Sequence, residues 1–420
     1  MGARKGARGS AGFWAVFGPA WITMMADMDA PSIVTALVSG EQFGYRLVSL
    51  MILLIIPLYL VQEMAGRLGS VTGKGLAFLV RERYGKRWSS ITVGGVFLVD
   101  SLAYVGEFAG VVAGGELLGL PLAVSLSLAF AFHTAIVLTG SYKKVERILL
   151  LLSSFLLLFV VMALISKPNA GQLLAGMNPF QPYMDSSFAY MAVADIGAVV
   201  MPFMIFYQQS AVIDKRLSKR DLRWEKLETF LGSVATQFLM ICVMVASAAV
   251  ASRMGGKAEA DDLSLVFSAI GGRLGVMVFA IGLIAAGFLA AITISLASAY
   301  GTGEYFGWTS TLNQRDFKSP FYILYFTEVI PAIVVIAWFQ RLVPIIIDAM
   351  ALNGLVLIFP LFFLIKLSGD EAVMGEYRNG KLRQAVSWLM ALIITALSVF
   401  AFVTQFLRAT RFYLRGTNTS

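Results

Sequence analysis

Apolar runs long enough to cross a lipid bilayer recur along the whole chain, and they constrain its fold more than any other feature. Of the 420 residues, 58% are hydrophobic and 14% are charged, which is far less charge than a soluble domain of this size carries. A membrane helix needs about 20 mainly apolar residues, and by this criterion we count about eleven helices. The runs cover residues 13–40, 47–64, 91–115, 120–140, 147–166, 188–213, 229–252, 274–299, 320–339, 342–366 and 385–407. The sequence therefore predicts an all-α polytopic membrane protein with one transmembrane domain over residues 1–420.

Basic residues are concentrated in every second loop, which indicates how the chain is oriented in the lipid bilayer. Because cytoplasmic loops carry an excess of Lys and Arg, the pattern predicts a cytoplasmic N-terminus in the inner (plasma) membrane of the cell. The basic run 215–226 is interpreted as such a loop, so nucleic acid is not an expected partner. Three arginines follow the last apolar run and leave the side of the C-terminus open.

Two carboxylates interrupt the first apolar run, in the stretch Ala26-Asp27-Met28-Asp29-Ala30-Pro31-Ser32. Acidic side chains inside a membrane are costly, so they usually face a cavity and a positively charged partner. Pro31 lacks a backbone N–H and clashes with the preceding turn, so the helix should break or kink here. A broken helix frees backbone carbonyls beside the acids, which predicts a cation site near the middle of the bilayer. The alternative is a kinked helix whose acids pair with neighbouring helices.

The sixth apolar run contains a second interruption, where Gly197 and Pro202 punctuate a segment that also holds Asp195 and Met201. Interrupted helices five positions apart are expected from two inverted five-helix repeats. We assign residues 1–167 to the first repeat, 188–366 to the second repeat and 385–407 to an additional helix. The two interruptions then meet at one binding site.

Other polar side chains at membrane depth are candidates for accessory roles at this site. They are Glu107, Asp195, Thr293, Asp348 and Asn353. The hydroxyl of Thr293 can instead bond to its own helix. The single cysteine, Cys242, excludes a multi-thiolate metal centre, and the single histidine, His133, is interpreted as a packing residue. The sequence contains no nucleophile–base pair, so we expect neither an enzyme nor a cofactor.

With both interruptions identified, the chain resembles the NRAMP family of divalent-metal transporters, and the resemblance runs through most of its length. Asp29-Ala30-Pro31-Ser32 follows Pro19 at the family's spacing, and residues 65–77 give the most specific signature. Further matching stretches are Gln42-Phe43-Gly44-Tyr45-Arg46-Leu47, Gly197-Ala198-Val199-Val200-Met201-Pro202-Phe203 and Ile292-Thr293-Ile294-Ser295-Leu296-Ala297.

The resemblance implies a LeuT-type fold, with two inverted five-helix repeats, one extra helix and broken helices one and six. It also implies a metal site formed by Asp29, Ser32, Met201 and the backbone carbonyl of Ala198. Asp27 is a less certain ligand, because it competes with Asp29 for the same role.

Several departures from the family pattern change the expected chemistry. Ser32 replaces the family asparagine and is a shorter ligand, Phe203 replaces the first helix-six histidine, and Tyr104 replaces an acid in helix three. The groups that handle protons are therefore largely lost. This combination resembles the NRAMP-related magnesium transporter branch, which implies that Mg²⁺, and also Mn²⁺, enters without strict proton coupling. Since Mg²⁺ gives up water reluctantly and is held by a few carboxylates plus retained waters, a shorter side chain at position 32 suits it.

Two other functions remain open from the sequence. The soft thioether of Met201 selects transition metals and has little to offer Mg²⁺, which favours a proton-coupled Mn²⁺/Fe²⁺ symporter. A sodium-coupled carrier of an organic substrate would want a larger apolar pocket, and the acid-rich interruption disfavours it.

Overall fold

Helices make up nearly all of the structure, a computed structural model that describes residues 12–178, 186–253, 263–308, 311–313, 319–338 and 352–416. The helices before residue 180 are α1 Phe13–Val16, α2 Pro19–Asp27, α3 Ala30–Phe43, α4 Val48–Thr72, α5 Leu76–Tyr84, α6 Lys86–Leu117, α7 Leu122–Val137, α8 Tyr142–Phe155, α9 Leu158–Ile165 and α10 Ala170–Gly176. Those after it are α11 Ser186–Val199, α12 Pro202–Asp214, α13 Leu222–Arg253, α14 Leu263–Phe306, α15 Pro320–Thr327, α16 Val329–Trp338, α17 Ile358–Gly369, α18 Glu371–Met374 and α19 Lys381–Gly416.

In the part of the chain that the structure describes, eight helical segments are long and apolar enough to span a membrane. The other predicted spans are the interrupted first helix, the shorter helix α7 and the α15–α16 pair. Residues 339–351 lie outside the described residues, and they include residues 342–351 of the tenth predicted span. The all-α polytopic prediction is confirmed.

Several helices extend beyond the predicted apolar runs. Helix α4 continues to Thr72 and helix α13 begins at Leu222, because hydropathy marks only the apolar part of a helix that crosses the hydrocarbon region. Helix α14 contains a kink at Gly271 and Gly272, and the φ of +58° at Gly272 is a conformation that favours glycine.

The first span is broken, as the sequence predicts. Helix α2 ends at Asp27, helix α3 begins at Ala30, and Met28 and Asp29 between them have non-helical backbone angles. Pro31 lies in the first turn of α3, where its missing N–H costs no helical hydrogen bond. The proline therefore starts the second half of the helix, and the irregular residues precede it.

The sixth span is broken in the same way. Helix α11 ends at Val199, and Met201 has an extended backbone with φ of −97° and ψ of 145°. Pro202 is the first residue of α12, again in a position that tolerates proline. Both broken spans thus present the carboxyl end of one helix and the amino end of the next.

The two broken spans lie in the centre of the molecule. Helices α2 and α3 pack against α13, and α3 also contacts α11 and α6, while α12 lies against α2, α4 and α14. Outer helices turn large apolar side chains outward, among them Leu128, Ile330 and Leu392, as expected for surfaces that face lipid. The breaks are therefore buried behind a layer of apolar helices.

Glycines allow the central helices to approach closely. A Cβ added to Gly110 of α6 would lie 2.2 Å from the Cβ of Ala30, at the start of α3. A Cβ added to Gly287 of α14 would lie 2.7 Å from the backbone oxygen of Glu107. These two glycines bring α3, α6 and α14 together at the depth of the break.

Candidate metal site at the helix breaks

Asp29 caps the amino end of α3 and is fully buried. Its Oδ1 accepts a hydrogen bond of 2.6 Å from the backbone N–H of Ser32, which satisfies one of the free donors of the first helical turn. Among the described residues, no group donates a hydrogen bond to Asp29 Oδ2. One carboxylate oxygen therefore holds the backbone of the break, and the other is a candidate ligand.

Ser32 and Ala198 meet across the two broken spans. The Ser32 hydroxyl donates a hydrogen bond of 3.0 Å to the backbone oxygen of Ala198, in the last turn of α11. Carbonyl oxygens at the carboxyl end of a helix carry partial negative charge, which favours a cation. The structure thus places three of the predicted ligands, Asp29, Ser32 and Ala198, at one point.

Glu107 reaches the same point from α6. Its Oε2 accepts a hydrogen bond of 3.1 Å from the backbone N–H of Ala30, and its carboxyl group interacts directly with that of Asp29. Within the described chain, Glu107 Oε1 accepts no hydrogen bond. Two adjacent carboxylates repel each other, so the pair requires a shared proton or a bound cation.

Asp27 lies on the other side of the break, at the end of α2. Its Oδ2 accepts a hydrogen bond of 3.3 Å from Nε2 of Gln237 in α13. Asp27 Oδ1 and Gln237 Oε1 are both buried, and neither has a hydrogen-bond partner among the residues described. Sequence reasoning missed Gln237, although an amide inside the apolar run 229–252 is the kind of intramembrane polar residue that indicates function.

Met201 is fully buried at the amino end of α12, the helix that follows the second break. Its backbone position therefore agrees with the predicted site. Its thioether as an ion ligand stays a prediction.

The structure gives two of the other accessory candidates hydrogen-bond partners of their own, and one candidate lies outside the described residues. Asp195 accepts hydrogen bonds of 3.0 and 2.9 Å from the hydroxyl of Ser39, seven residues beyond Ser32 and so about 10 Å further along α3. The Thr293 hydroxyl bonds to its own helix, at Leu289 and Ala290. Asn353 is buried in the turn of helix before α17, and the predicted Asp348 lies outside the described residues.

The candidate ligands at the breaks are oxygens of different kinds. In the described ranges, no group of three or more His, Cys, Asp or Glu side chains is arranged to hold a metal ion. The free oxygens that are present come from three acids and one amide: Asp27, Asp29, Glu107 and Gln237. This is a hard donor set of the type that suits Mg²⁺, Mn²⁺ or Ca²⁺ rather than a soft metal.

A family model described as natural resistance-associated macrophage protein-like matches residues 20–404 of the chain. The chain belongs to the NRAMP family. Among curated relatives, it is 27% identical to the divalent metal cation transporter MntH of Bacillus subtilis, over 95% of this chain and 94% of that protein. It is also 27% identical to MntH 1 of Pseudomonas aeruginosa, over 90% of this chain and 89% of that protein.

Solved structures agree on the fold of this NRAMP protein. The Eremococcus coleocola manganese transporter, in complex with an aromatic bis-isothiourea compound, superposes with a TM-score of 0.79 at 20% identity, covering 95% of this chain and 89% of that one. Mhp1, a nucleobase-cation-symport-1 family transporter, gives a TM-score of 0.53 at 14% identity, covering 96% and 93%. The fold is therefore of the LeuT type, with helices one and six broken.

Proposed function

We propose that this NRAMP-family protein is a divalent metal cation transporter that carries Mg²⁺, and also Mn²⁺, into the cell by alternating access without strict proton coupling. The observation that carries the proposal is the set of buried oxygens at the helix breaks that lack partners among the described residues: Asp27 Oδ1, Asp29 Oδ2, Glu107 Oε1 and Gln237 Oε1. Buried polar atoms without partners are costly, so they mark a place that a ligand fills.

Retained water on the ion is part of this proposal. Mg²⁺ prefers octahedral oxygen coordination and usually keeps several waters, contacting only one or two carboxylates directly. Ser32 is shorter than the family asparagine and donates to the Ala198 carbonyl, and we propose that water takes the place of the missing amide beside Asp29. Asp27 and Gln237 are placed to accept hydrogen bonds from such waters.

The uncoupled mechanism is supported by the groups that surround the site. Phe203 and Tyr104 stand where the family has a histidine and an acid, so fewer titratable groups line the route. Coupling is not required energetically, because a membrane potential of about 100 mV, negative inside, favours entry of a divalent ion by about 4.6 kcal/mol.

A proton-coupled Mn²⁺/Fe²⁺ symporter is the second candidate. Two observations favour it: the Asp29–Glu107 carboxyl pair can hold a proton, and Met201 is retained at the second break. The relatives named above are a divalent metal cation transporter and a manganese transporter.

The proposal extends to the setting of the site. We place the protein in the inner (plasma) membrane with a cytoplasmic N-terminus, on the distribution of basic loop residues. We further propose that residues 1–167 and 188–366 are two inverted repeats and that the helix at 385–407 is additional to them. The protein moves an ion and catalyses no covalent reaction.

Flux into proteoliposomes tests the proposal. With a membrane potential but no pH gradient, we expect Mg²⁺ to enter through the wild-type protein. Asp29→Asn should weaken Mg²⁺ binding about 100-fold, equivalent to about 2.7 kcal/mol, and uptake should fall accordingly. Asparagine can still cap α3, so this change removes the charge and keeps the local fold. The matched control is Asp221→Asn, at a carboxylate that bonds Ser218 in an exposed loop.

The outcomes separate the candidates. Mg²⁺ uptake that survives Asp29→Asn contradicts the site. Exclusion of Mg²⁺ together with strong uptake of Mn²⁺ or Cd²⁺, accompanied by proton movement in fixed ratio, favours the symporter.

A further inference from the structure

A second pair of buried acids lies apart from the helix breaks. Asp100 is in α6, seven residues before Glu107 and therefore about 10 Å away along the helix. Glu328 is at the interruption between α15 and α16. Each of the two side chains is 1% exposed, and the two carboxyl groups act on each other electrostatically.

Hydroxyl groups from α14 complete this cluster. The Ser298 hydroxyl donates a hydrogen bond of 3.1 Å to Asp100 Oδ2, and the Ser295 hydroxyl, about one turn earlier, lies beside the Glu328 carboxyl. Ser295 is fully buried, and its Oγ has no hydrogen-bond partner among the described residues. The same holds, within those residues, for both carboxylate oxygens of Glu328. Ser298 thus satisfies one oxygen of Asp100, while three buried oxygens of the cluster, Ser295 Oγ and both of Glu328, make no hydrogen bond within the described chain.

The cluster also lacks a positive charge from the described residues. None of the ion pairs that the described part of the chain forms involves Asp100 or Glu328. Two tyrosines, Tyr104 of α6 and Tyr325 of α15, interact electrostatically with Glu328, and His133 Nε2 lies 2.7 and 2.8 Å from their hydroxyls. Two buried carboxylates without compensation would cost several kcal/mol each.

We propose that Asp100, Glu328, Ser295 and Ser298 form a second cation site that binds one monovalent cation, either a proton or Na⁺. Adjacent carboxyl groups readily share one positive charge, and the donors are all oxygens. A hydrated divalent ion fits less well, because Mg²⁺ keeps several waters and the four side chains are at most 3% exposed.

The bound cation would hold α15 and α16 against the core. Both acids and both serines come from helices that pack together, since α6 contacts α16 and α14 contacts α15. At the interruption, the hydrogen bond from Ala332 N to Glu328 O is long, at 3.4 Å, so the backbone there contributes little. Occupancy should therefore stabilise the folded protein, whichever divalent ion is transported.

Thermal unfolding of the purified full-length protein tests the site. NaCl is titrated against choline chloride at constant ionic strength, and pH is varied between about 5 and 8. The variant is Glu328→Gln, and the matched control is Glu116→Gln, an exposed acid on the same α6 as Asp100. If Na⁺ is the ligand, NaCl raises the wild-type and control Tm by about 2 °C and leaves Glu328→Gln unchanged.

If a proton is the ligand, the wild type and Glu116→Gln gain stability as the pH falls, relative to Glu328→Gln, and Na⁺ has no effect. An identical response of all three proteins to both Na⁺ and pH overturns the proposal. Should Glu328→Gln fail to fold, Ser295→Ala removes one oxygen with less disturbance, and it must weaken the same response.

Discussion

Gly110 lies where α6 crosses the start of α3, and replacing it tests whether this contact positions Glu107. A Cβ at this position would lie 2.2 Å from the Cβ of Ala30, whereas carbon atoms in contact are separated by about 3.5–4.0 Å. A methyl group on a helix backbone cannot rotate away. In Gly110→Ala the two helices must therefore separate locally by about 1.5 Å.

This separation acts directly on the site. Glu107 is three residues from Gly110, and its bond of 3.1 Å to the backbone N–H of Ala30 would stretch beyond hydrogen-bonding range. Overpacking of this kind costs about 1–3 kcal/mol, and loss of a hydrogen bond to a charged group costs about 1.5–3 kcal/mol. We expect a lower Tm and at least a roughly tenfold loss of Mn²⁺ or Mg²⁺ affinity, which corresponds to about 1.4 kcal/mol.

The assay is titration calorimetry with proteoliposome uptake at equal protein density. Gly94→Ala is the matched control, because it lies on the same helix and a Cβ there would meet nothing within 4 Å. It should transport normally and gain up to about 1 kcal/mol from better helix propensity. Wild-type ion affinity in Gly110→Ala would refute the idea that close packing of α6 on α3 sets the position of Glu107.

Three further changes probe the breaks. Ser32→Asn lengthens the side chain that now bonds Ala198, and we expect selectivity to move from Mg²⁺ toward Mn²⁺ in a competition assay; an unchanged ratio would count against retained water. Gln237→Leu removes the amide beside Asp27, and Mg²⁺ uptake should fall more than Mn²⁺ uptake, because hydrated Mg²⁺ depends more on outer oxygens. Equal losses would exclude that role. Glu228→Gln weakens the two hydrogen bonds at the start of α2, so cysteine-accessibility labelling of α2 should increase. Unaltered labelling would argue that this carboxylate does not hold α2 in place.

The position of the first break could be predicted because two local signals coincide. Acids within an apolar run and a nearby proline are both readable in the residues themselves. The cause of the irregular backbone could not be predicted from the sequence. Pro31 belongs to the helix that follows, and the extended conformation at Asp29 is fixed by its own cap on Ser32.

Contacts between distant parts of the chain could not be predicted. Gln237 meets Asp27 across 210 positions of sequence, and a lone glutamine in an apolar run does not reveal its partner. The same limit applies to Asp195. Its sequence position beside the second break indicates an accessory role, which stays a prediction, whereas its hydrogen bond to Ser39 could not be predicted from the sequence.

The specific signature at residues 65–77 acquires a physical reason from the structure. A Cβ on Gly66 would lie 1.9 Å from Glu225 Oε1, and one on Gly75 would lie 1.7 Å from Glu304 Oε1. At both positions a side chain would have to displace the carboxylate of a glutamate, Glu225 of α13 or Glu304 of α14. Sequence similarity could show that this stretch is distinctive, while only the packing shows that it accommodates two acids.

The two ends of the first span are held to α13 by contacts of different kinds. At the start of α2, Glu228 Oε1 accepts hydrogen bonds of 2.6 and 2.9 Å from the backbone N–H groups of Gly18 and Trp21. On the opposite side, α3 packs tightly on α13, where a Cβ on Gly40 would lie 2.2 Å from the backbone oxygen of Met244. Water can replace the hydrogen bonds to Glu228, whereas the contact at Gly40 depends on close packing of the two backbones.

We infer that helix α2, whose amino end is held by hydrogen bonds to Glu228, moves relative to α3. It has nine residues and is joined to α3 only through the non-helical Met28 and Asp29. Asp29 caps α3 and would remain with it, while Asp27 belongs to α2 and would leave. We infer that swinging α2 about this joint separates the two acids and so lowers the affinity for a divalent ion as the site opens. Glu228→Gln should then speed ion release at the α2 side and weaken equilibrium binding, and release kinetics equal to those of the wild type would contradict this coupling.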